Sequence, residues 1–399
     1  MRILWIRAMN IDKAIDIGAY IEIINRISKK ENIRVFVTYK KNKQLKHGGC
    51  EHLELVPSIP KLKLGSMSFL FLAALRVFKK LIKGDVDVVI TTPFSSLIML
   101  LPFNLIVFRK KRMIWIIDCR TIPVEVQGIR GKIKELVFDI SYKLGRKIAD
   151  GFTVISPFMR EFMVQKYNLQ TARVGIWSSG VNLEFFNPQK VSIDRITQLK
   201  SELGLINKFV VLYHGSISRN RGLKNALLAF KESPLNEIDE IVFLIIGDGP
   251  YFDELKNFIK QFKLIKRVQL LPKVPYEQVP YYISIADVGI LPFPKLIWWR
   301  VSSPLKLMEY LAMEKPVILT KIEAHTDIPD IHSAAFWVEE STSVAIMRGI
   351  LNAFENRHLL NDMGRVGRSI VERYFSWERQ VDNLLQFIRE IWGKKYEGQ

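Results

Sequence analysis

The chain has 399 residues, 48% of them hydrophobic and 25% charged, and a formal net charge of +19. That length favours two or more domains with a core each, and that composition excludes a disordered chain. Two cysteines, Cys50 and Cys119, exclude a disulfide framework and a metal-ligand spacing, and fit a reducing compartment. The charge is uneven. Residues 1–190 hold 32 Lys and Arg against 15 Asp and Glu, a net +17, and the remainder holds 27 against 25, a net +2. A basic first half points to an anionic partner there: nucleic acid, an anionic membrane surface or a phosphorylated acceptor. The alternative is a merely soluble basic surface.

In chain order, RILWIRA reads as the first strand, with no apolar run or cleavage site of a signal peptide around it. Residues 16–29 form a helix with Gly18 near its start, IRVFVTYK a second strand, and KKNKQLKHGG a basic turn or loop. Residues 61–83 set Phe69, Leu70, Leu72, Ala73, Leu75, Val77, Phe78, Leu81 and Ile82 between basic ends. That apolar core of about a dozen residues is too short to span a bilayer. The stretch is either an interfacial helix whose lysines meet anionic headgroups, or a helix buried under the first sheet. Asp85 and Asp87 spell D-x-D, the metal motif of one class of sugar transferases, but they lead straight into a buried strand and read as its entry turn. SSLIMLLPFNLIVFRKKR, broken by Pro102, is a buried or interface-skimming helix ending in the basic cluster 109–112. RMIWIIDCR is a strand with a polar loop after it. Asp118, Arg120 and Glu125 then stand at the C-terminal end of a parallel strand, where open α/β sheets hold ligands, or form a surface ion pair. A basic helix follows over about 131–149, then the strand in ADGFTVIS with Ser156 capping the next helix. Residues 172–188 are the best linker candidate.

In the second half KFVVLYHG is an apolar strand ending at Gly215, and SISRNRG leads into a helix. Such a unit brings backbone N–H groups close to a phosphate, which Arg219 and Arg221 can neutralise. It is no Walker loop, because G-K-[ST] is missing. IVFLIIGDGP is another strand, turned by Gly247, Gly249 and Pro250, and VQLLP a third, ending near Lys273 and Val274. SSPLKLMEYLAMEKPVILT, residues 302–320, organises this half. Ser303 reads as the N-cap and Pro304 as the first helical residue, with Lys306 and Glu309 on one face a turn inside. A phosphate could sit on the N–H groups at the helix mouth, and a sugar diol could bond the carboxylate. Taken alone, the stretch is equally an ordinary helix with both side chains in solvent. The β-α order, with strands of Val, Ile and Leu, argues for an α/β fold of two doubly wound parallel sheets facing a cleft.

Together these motifs resemble the family 4 glycosyltransferases, retaining enzymes of the GT-B fold with two Rossmann-like domains. The likeness covers nearly the whole chain. It rests on YHGSISRNRGLKNALLAF, FLIIGDGP, VQLLPKVPYEQVPYYISIADVGILPF, SSPLKLMEYLAMEKPVI and FSWERQ, in that order, with ADGFTVIS and GVNLEFFNP before them. It implies an acceptor domain over 1–180, a donor domain over 181–375, and a C-terminal helix over 376–399 that crosses back to the first. The implied donor-binding set is Gly18, Gly215, Gly247, Lys273, Val274, Ser303, Pro304, Leu305 and Glu309, with Glu309 on the ribose hydroxyls and Lys273–Val274 facing the base. Asp118, Arg120 and Glu125 fall on the acceptor side. Arg219, Arg221, Lys306, Glu309 and Asp118 form the implied catalytic group.

Three positions depart from the family pattern. Val301 stands where a second glutamate is common, which leaves the sugar contacts and the donor's identity open. Ser216 and Arg221 stand where Arg and Lys are usual, with Arg219 as a substitute charge. Glu314 replaces the glycine after the helix. The resemblance implies transfer of a sugar with retention from a nucleotide diphosphate sugar to a lipid-linked or glycan acceptor, with no metal or other cofactor. The expected location is the cytoplasmic face of an anionic membrane, peripherally bound through the basic half, with no nucleic acid partner. The rivals are a nucleotide-sugar epimerase or hydrolase of the same fold, and a scaffold without catalysis.

Overall fold

The computed structural model describes residues 1–10, 17–39, 52–57, 65–124 and 128–396. It divides into unit 1, Met1–Ser178 with Gln380–Gln399, and unit 2, Ser179–Arg379.

Unit 1 begins with β1 (Arg2–Asn10), α1 (Ile17–Ser28), β2 (Asn32–Tyr39), β3 (Leu53–Pro57) and α2 (Gly65–Lys83). It continues with β4 (Val88–Thr91), α3 (Leu97–Leu100), α4 (Pro102–Lys110), β5 (Ile114–Asp118), α5 (Gly128–Ile148), β6 (Gly151–Val154), α6 (Pro157–Tyr167) and β7 (Val174–Ile176). Among the described residues the strands form one parallel sheet in the order β3-β2-β1-β4-β5-β6-β7. β4, β5 and β6 are buried on both faces, which is why they read as unbroken apolar runs. Pro102 splits the apolar stretch 95–112 into α3 and α4, because a proline ring cannot continue a preceding helical turn. Asp87 takes the Arg2 guanidinium at 2.7 Å and the Arg2 backbone N–H at 2.7 Å, so the D-x-D is a strand-entry turn, as expected. Ser156 caps α6, accepting the Met159 N–H at 3.1 Å. The loop 40–49 lies outside the described residues.

Unit 2 contains α7 (Ile193–Glu202), β8 (Phe209–Ser216), α8 (Leu223–Ala229), β9 (Ile241–Asp248), α9 (Phe252–Gln261), β10 (Val268–Pro272) and α10 (Val279–Ser284). Then come β11 (Val288–Leu291), α11 (Ile297–Arg300), α12 (Leu305–Ala312), β12 (Val317–Thr320), α13 (Glu323–Thr326), β13 (Ala335–Val338), α14 (Ser343–Glu355) and α15 (Leu360–Tyr374). The sheet is parallel, in the order β10-β9-β8-β11-β12-β13. Helix α16 (Trp377–Tyr396) starts in unit 2 and from Gln380 onward belongs to unit 1. There Phe387 packs so closely on Gly175 that a Cβ at Gly175 would lie 2.5 Å from the ring.

Strand order reverses between β8 and β11, since β9 and β10 lie on one side of β8 and β11, β12 and β13 on the other. In an open α/β sheet the crevice at such a switch point, beyond the strands' carboxyl ends, is where ligands bind. That rule fixes where in unit 2 the chemistry should be sought.

Candidate active site

The carboxyl end of β8 carries Tyr213, His214 and Gly215, and α12 runs beside it. Tyr310 of α12 locks the two together: its hydroxyl donates to the Leu212 carbonyl at 2.9 Å and accepts the His214 N–H at 3.1 Å. Sequence spacing places Ser303 at the N-cap of α12, but the helix starts one residue later. Pro304 is the N-cap, with extended backbone angles, and no side chain caps the first turn. The Ser303 hydroxyl is engaged elsewhere, accepting the Ser179 N–H at 3.2 Å, while the Ser303 carbonyl accepts from the Ser179 hydroxyl at 2.6 Å. The mouth of α12, with its positive dipole end, is therefore left without a side-chain acceptor.

Lys306 and Glu309 are not the solvated pair of an ordinary surface helix. Lys306 is 8% exposed, and its ammonium donates to the Tyr213 hydroxyl at 3.0 Å while lying 4.2 Å from the centre of that ring. Burial, and then the nearby Arg221 charge, push the Lys306 ammonium well below the usual lysine range. Gly215 has φ +106°, a conformation that suits glycine, and a Cβ there would come within 3.3 Å of the Lys306 ammonium. Gly247 pairs with Gly215 across the ladder, and its own Cβ would lie 1.8 Å from the Gly215 carbonyl oxygen. These two glycines let backbone and ammonium crowd around one point.

Glu309, with 14% of its side chain exposed, sits with one carboxylate oxygen 3.3 Å from the His214 Nε2. Burial raises the Glu309 carboxyl to about 7, against the pull of Lys306. Burial and the Lys306 charge push His214 down to about 3, so the imidazole is neutral and the contact is no charged bridge. The sequence reading passed over His214, whose position directly before Gly215 was the available signal.

The two arginines part company. Arg221 donates to the Ser218 hydroxyl at 3.2 Å and lies over the Trp299 ring at 4.7 Å, on the Lys306 side. Arg219 pairs instead with Glu254, and 75% of its side chain is exposed. A carboxylate thus stands beside the guanidinium that was expected to supply the missing charge. Arg219 and Glu254 line a separate cavity of about 330 Å³ with Lys224 and Tyr251. Val301 is fully buried at the end of α11, so no polar side chain stands at that position. Lys273 is exposed in the loop after β10, and Val274 beside it packs partly on the core.

In unit 1, Gly18 is the second residue of α1. Asp118 ends β5 as expected, but it is buried. One oxygen accepts from the Thr153 hydroxyl and the Trp177 indole, both at 2.9 Å. Arg120 lies 3.9 Å over the Trp177 ring and donates to the carbonyls of Trp177 and Ser178. The pair expected to face an acceptor, or to form a surface ion pair, instead fastens the segment that leaves the sheet. Glu125 lies outside the described residues. Arg7, in the second half of β1 beside the switch point of this sheet, has a buried Nε and Nη1 without hydrogen-bond partners among the described residues and packs 3.4 Å from the Tyr20 ring.

Residues 196–370 match the model of the family Glycosyl transferases group 1. Over 382 residues the chain is 20% identical to an uncharacterized glycosyltransferase of Methanocaldococcus jannaschii, which covers 93% of each. It is 24% identical over 228 residues to an Escherichia coli UDP-Gal:alpha-D-GlcNAc-diphosphoundecaprenol alpha-1,3-galactosyltransferase, spanning 56% of each chain. Among solved structures, Anabaena HepE in complex with UDP and glucose superposes with a TM-score of 0.74 at 16% identity, over 98% of this chain and 99% of that one. The fold is GT-B. The protein is a glycosyltransferase, and the residues that match the group 1 model lie within unit 2.

Proposed function

We propose that the protein is a retaining, family 4 glycosyltransferase that takes a sugar from a nucleotide diphosphate sugar. One observation carries this reading: the buried Lys306 ammonium beneath Gly215, at the uncapped mouth of α12, with Glu309 one turn on. Lys306 and Arg221 together outnumber the single carboxylate, which suits a polyanion. In the proposed complex the diphosphate rests on Gly215, Arg221, Lys306 and the backbone from Ser303 to Leu305. Glu309 accepts the ribose hydroxyls, and the loop at Lys273 and Val274 faces the base.

In the proposed reaction the bond from the anomeric carbon to the diphosphate oxygen breaks, and negative charge gathers on the leaving group. Lys306, Arg221 and the helix mouth stabilise that charge without a protein nucleophile or a bound metal. The acceptor hydroxyl forms the new bond on the face that the diphosphate leaves, and its proton passes to the departing phosphate. The acceptor is a lipid-linked or glycan hydroxyl at the cytoplasmic face of an anionic membrane. Support comes from the net +17 of residues 1–190 and from the diphosphoundecaprenol acceptor in the name of the Escherichia coli relative. No helix among the described residues is long and apolar enough to cross a membrane.

The test is release of nucleoside diphosphate from UDP-, GDP- and ADP-sugars, with and without vesicles containing polyprenyl-linked glycan. Release from one donor that needs the acceptor, and continues in a chelator, is the expected result. Release without any acceptor would point to a hydrolase or epimerase. No release from any donor overturns the reading.

A further inference from the structure

Unit 1 exposes large apolar side chains in an ordered way. In unit 2 the exposed ones, Ile193, Ile206, Ile265, Tyr276, Val344 and Leu359, fall on separate segments, as on any protein surface. Among the described residues of unit 1, eight of the nine such residues lie on three helices: Phe71, Leu75 and Ile82 on α2, Ile106 on α4, and Ile129, Ile133, Leu136 and Leu144 on α5. Successive positions on α2 and α5 are spaced by four, three or seven to eight residues, so each set forms one stripe along its helix. On α5 that stripe is opposite the face that packs inward through Phe138, Ser141, Tyr142 and Gly145. The helix is thus apolar on both sides. Ile129, Ile133 and Leu136 are 79%, 53% and 58% exposed.

The three helices share one side of the sheet. Each joins parallel strands in the same direction along the order β3-β2-β1-β4-β5-β6-β7, and right-handed crossovers then place them on the same face. Direct contacts agree. The Asn104 amide of α4 donates to the Ala74 carbonyl of α2, Phe78 and Phe103 meet edge to face at 5.3 Å, and Ser96 before α3 bonds Ser141 of α5 at 2.9 Å. The charges around the stripes have one prevailing sign. Along α5 Lys132 and Lys143 flank the stripe, Lys147 continues it, and Lys134 and Arg146 are also exposed. Only Glu135 and Asp139 oppose them on this helix, and Asp139 pairs with Lys166. At the ends of α4 and α5, Arg109, Lys110, Lys111 and Arg112 border a cavity of about 640 Å³ that also meets Ile148.

We infer that this helical face, with its longest apolar stripe on α5, is the surface by which the protein docks on a bilayer containing anionic lipid. It deepens the membrane-acceptor part of the proposed function and rests on that part. Isoleucine and leucine side chains enter the boundary of the acyl region while the lysines beside them meet anionic headgroups. Charge selects this occupant over a second copy of the chain, which would bring two like-charged helices together.

The experiment is co-sedimentation with phosphatidylcholine vesicles, with and without phosphatidylglycerol, for the wild type and an Ile133→Gln, Leu136→Gln double variant. Both positions are exposed, so the unfolding temperature of the variant should match the wild type. The wild type should bind the phosphatidylglycerol vesicles, less so at high salt, and the double variant roughly tenfold or more weakly. A Lys132→Gln, Lys143→Gln variant should lose the preference for phosphatidylglycerol. Absence of wild-type binding, or equal binding by the Ile133/Leu136 variant, overturns the inference. So does a dimer that the variant turns into monomer without any vesicle binding, which would give the face to a second copy. Nucleotide-induced stabilisation, measured on the same samples, keeps the donor reading separate: its loss with vesicle binding intact would sink that reading and leave this one standing.

Discussion

Unit 2 gathers a cluster of titratable groups inward at the end of β8, whereas unit 1 also sets apolar groups outward along three of its helices. At the end of β8, an ammonium, a carboxyl and an imidazole are buried within one turn of each other. On α2, α4 and α5, isoleucines, leucines and a phenylalanine that could have been buried stand in solvent among lysines. The two sheets are wound alike, so topology does not produce this difference. Buried charge in unit 2 is costly unless something compensates it, which marks a place prepared for an anion. Exposed apolar area in unit 1 is costly unless something covers it, which marks a surface prepared for a partner.

The comparison can be sharpened by mutation, and the largest effect should come from the backbone. Gly247→Ala would put a Cβ 1.8 Å from the Gly215 carbonyl oxygen, where no flexible side chain can yield. A loss of about 3 kcal/mol is expected, read as a lowered denaturation midpoint. An alanine tolerated there would show that the ladder relaxes, and that the crowding around Gly215 is not needed.

Arg221→Ala should lower turnover at least tenfold, because it removes a charge beside Lys306. Arg219→Ala should change it far less, since that guanidinium already pairs with Glu254 in solvent. Equal losses in steady-state rates would mean that both arginines reach the leaving group.

The smallest effect is on pH dependence. Glu309 is raised to about 7 by burial, above its ordinary 4.5. Its contribution to stability is therefore complete below about 4.5 and lost as pH rises through about 7. His214, lowered to about 3, works oppositely: its contribution is present above 6.5 and lost as pH falls towards 3. Glu309→Gln should flatten the fall of unfolding temperature between the two Glu309 values. A variant with the wild-type slope would mean that the carboxyl is solvated and ionised normally.

Much of the architecture was legible. FVVLYHG and IVFLIIGD became the central strands β8 and β9 because strands buried on both faces need unbroken apolar runs. The short strands β3 and β13 went unseen, since four or five residues at a sheet edge leave little periodicity to read. Glu314, standing where the family pattern has glycine, adopts the left-handed φ of +55°. Lys306 and Glu309 were found from their spacing, but their burial was not. It arises because Leu307 and Tyr310, on the rest of the helix, are buried as well. Asp118 was placed correctly at a strand end, yet its role depends on Trp177, which only the fold brings near. Arg219 and Arg221 sit on one short turn, where neighbouring side chains diverge and sequence gives no way to choose between them.

The central claim is that the mouth of α12 receives a nucleotide diphosphate. Thermal unfolding with UDP, GDP and ADP in turn, on the wild type and on Glu309→Ala, tests it most directly. A ligand at a hundred times its dissociation constant adds about 2.7 kcal/mol of stability, a clear shift. The account predicts that one nucleotide stabilises the wild type and that the variant loses most of the effect. Stabilisation by none of the three, or an undiminished shift in the variant, would contradict it.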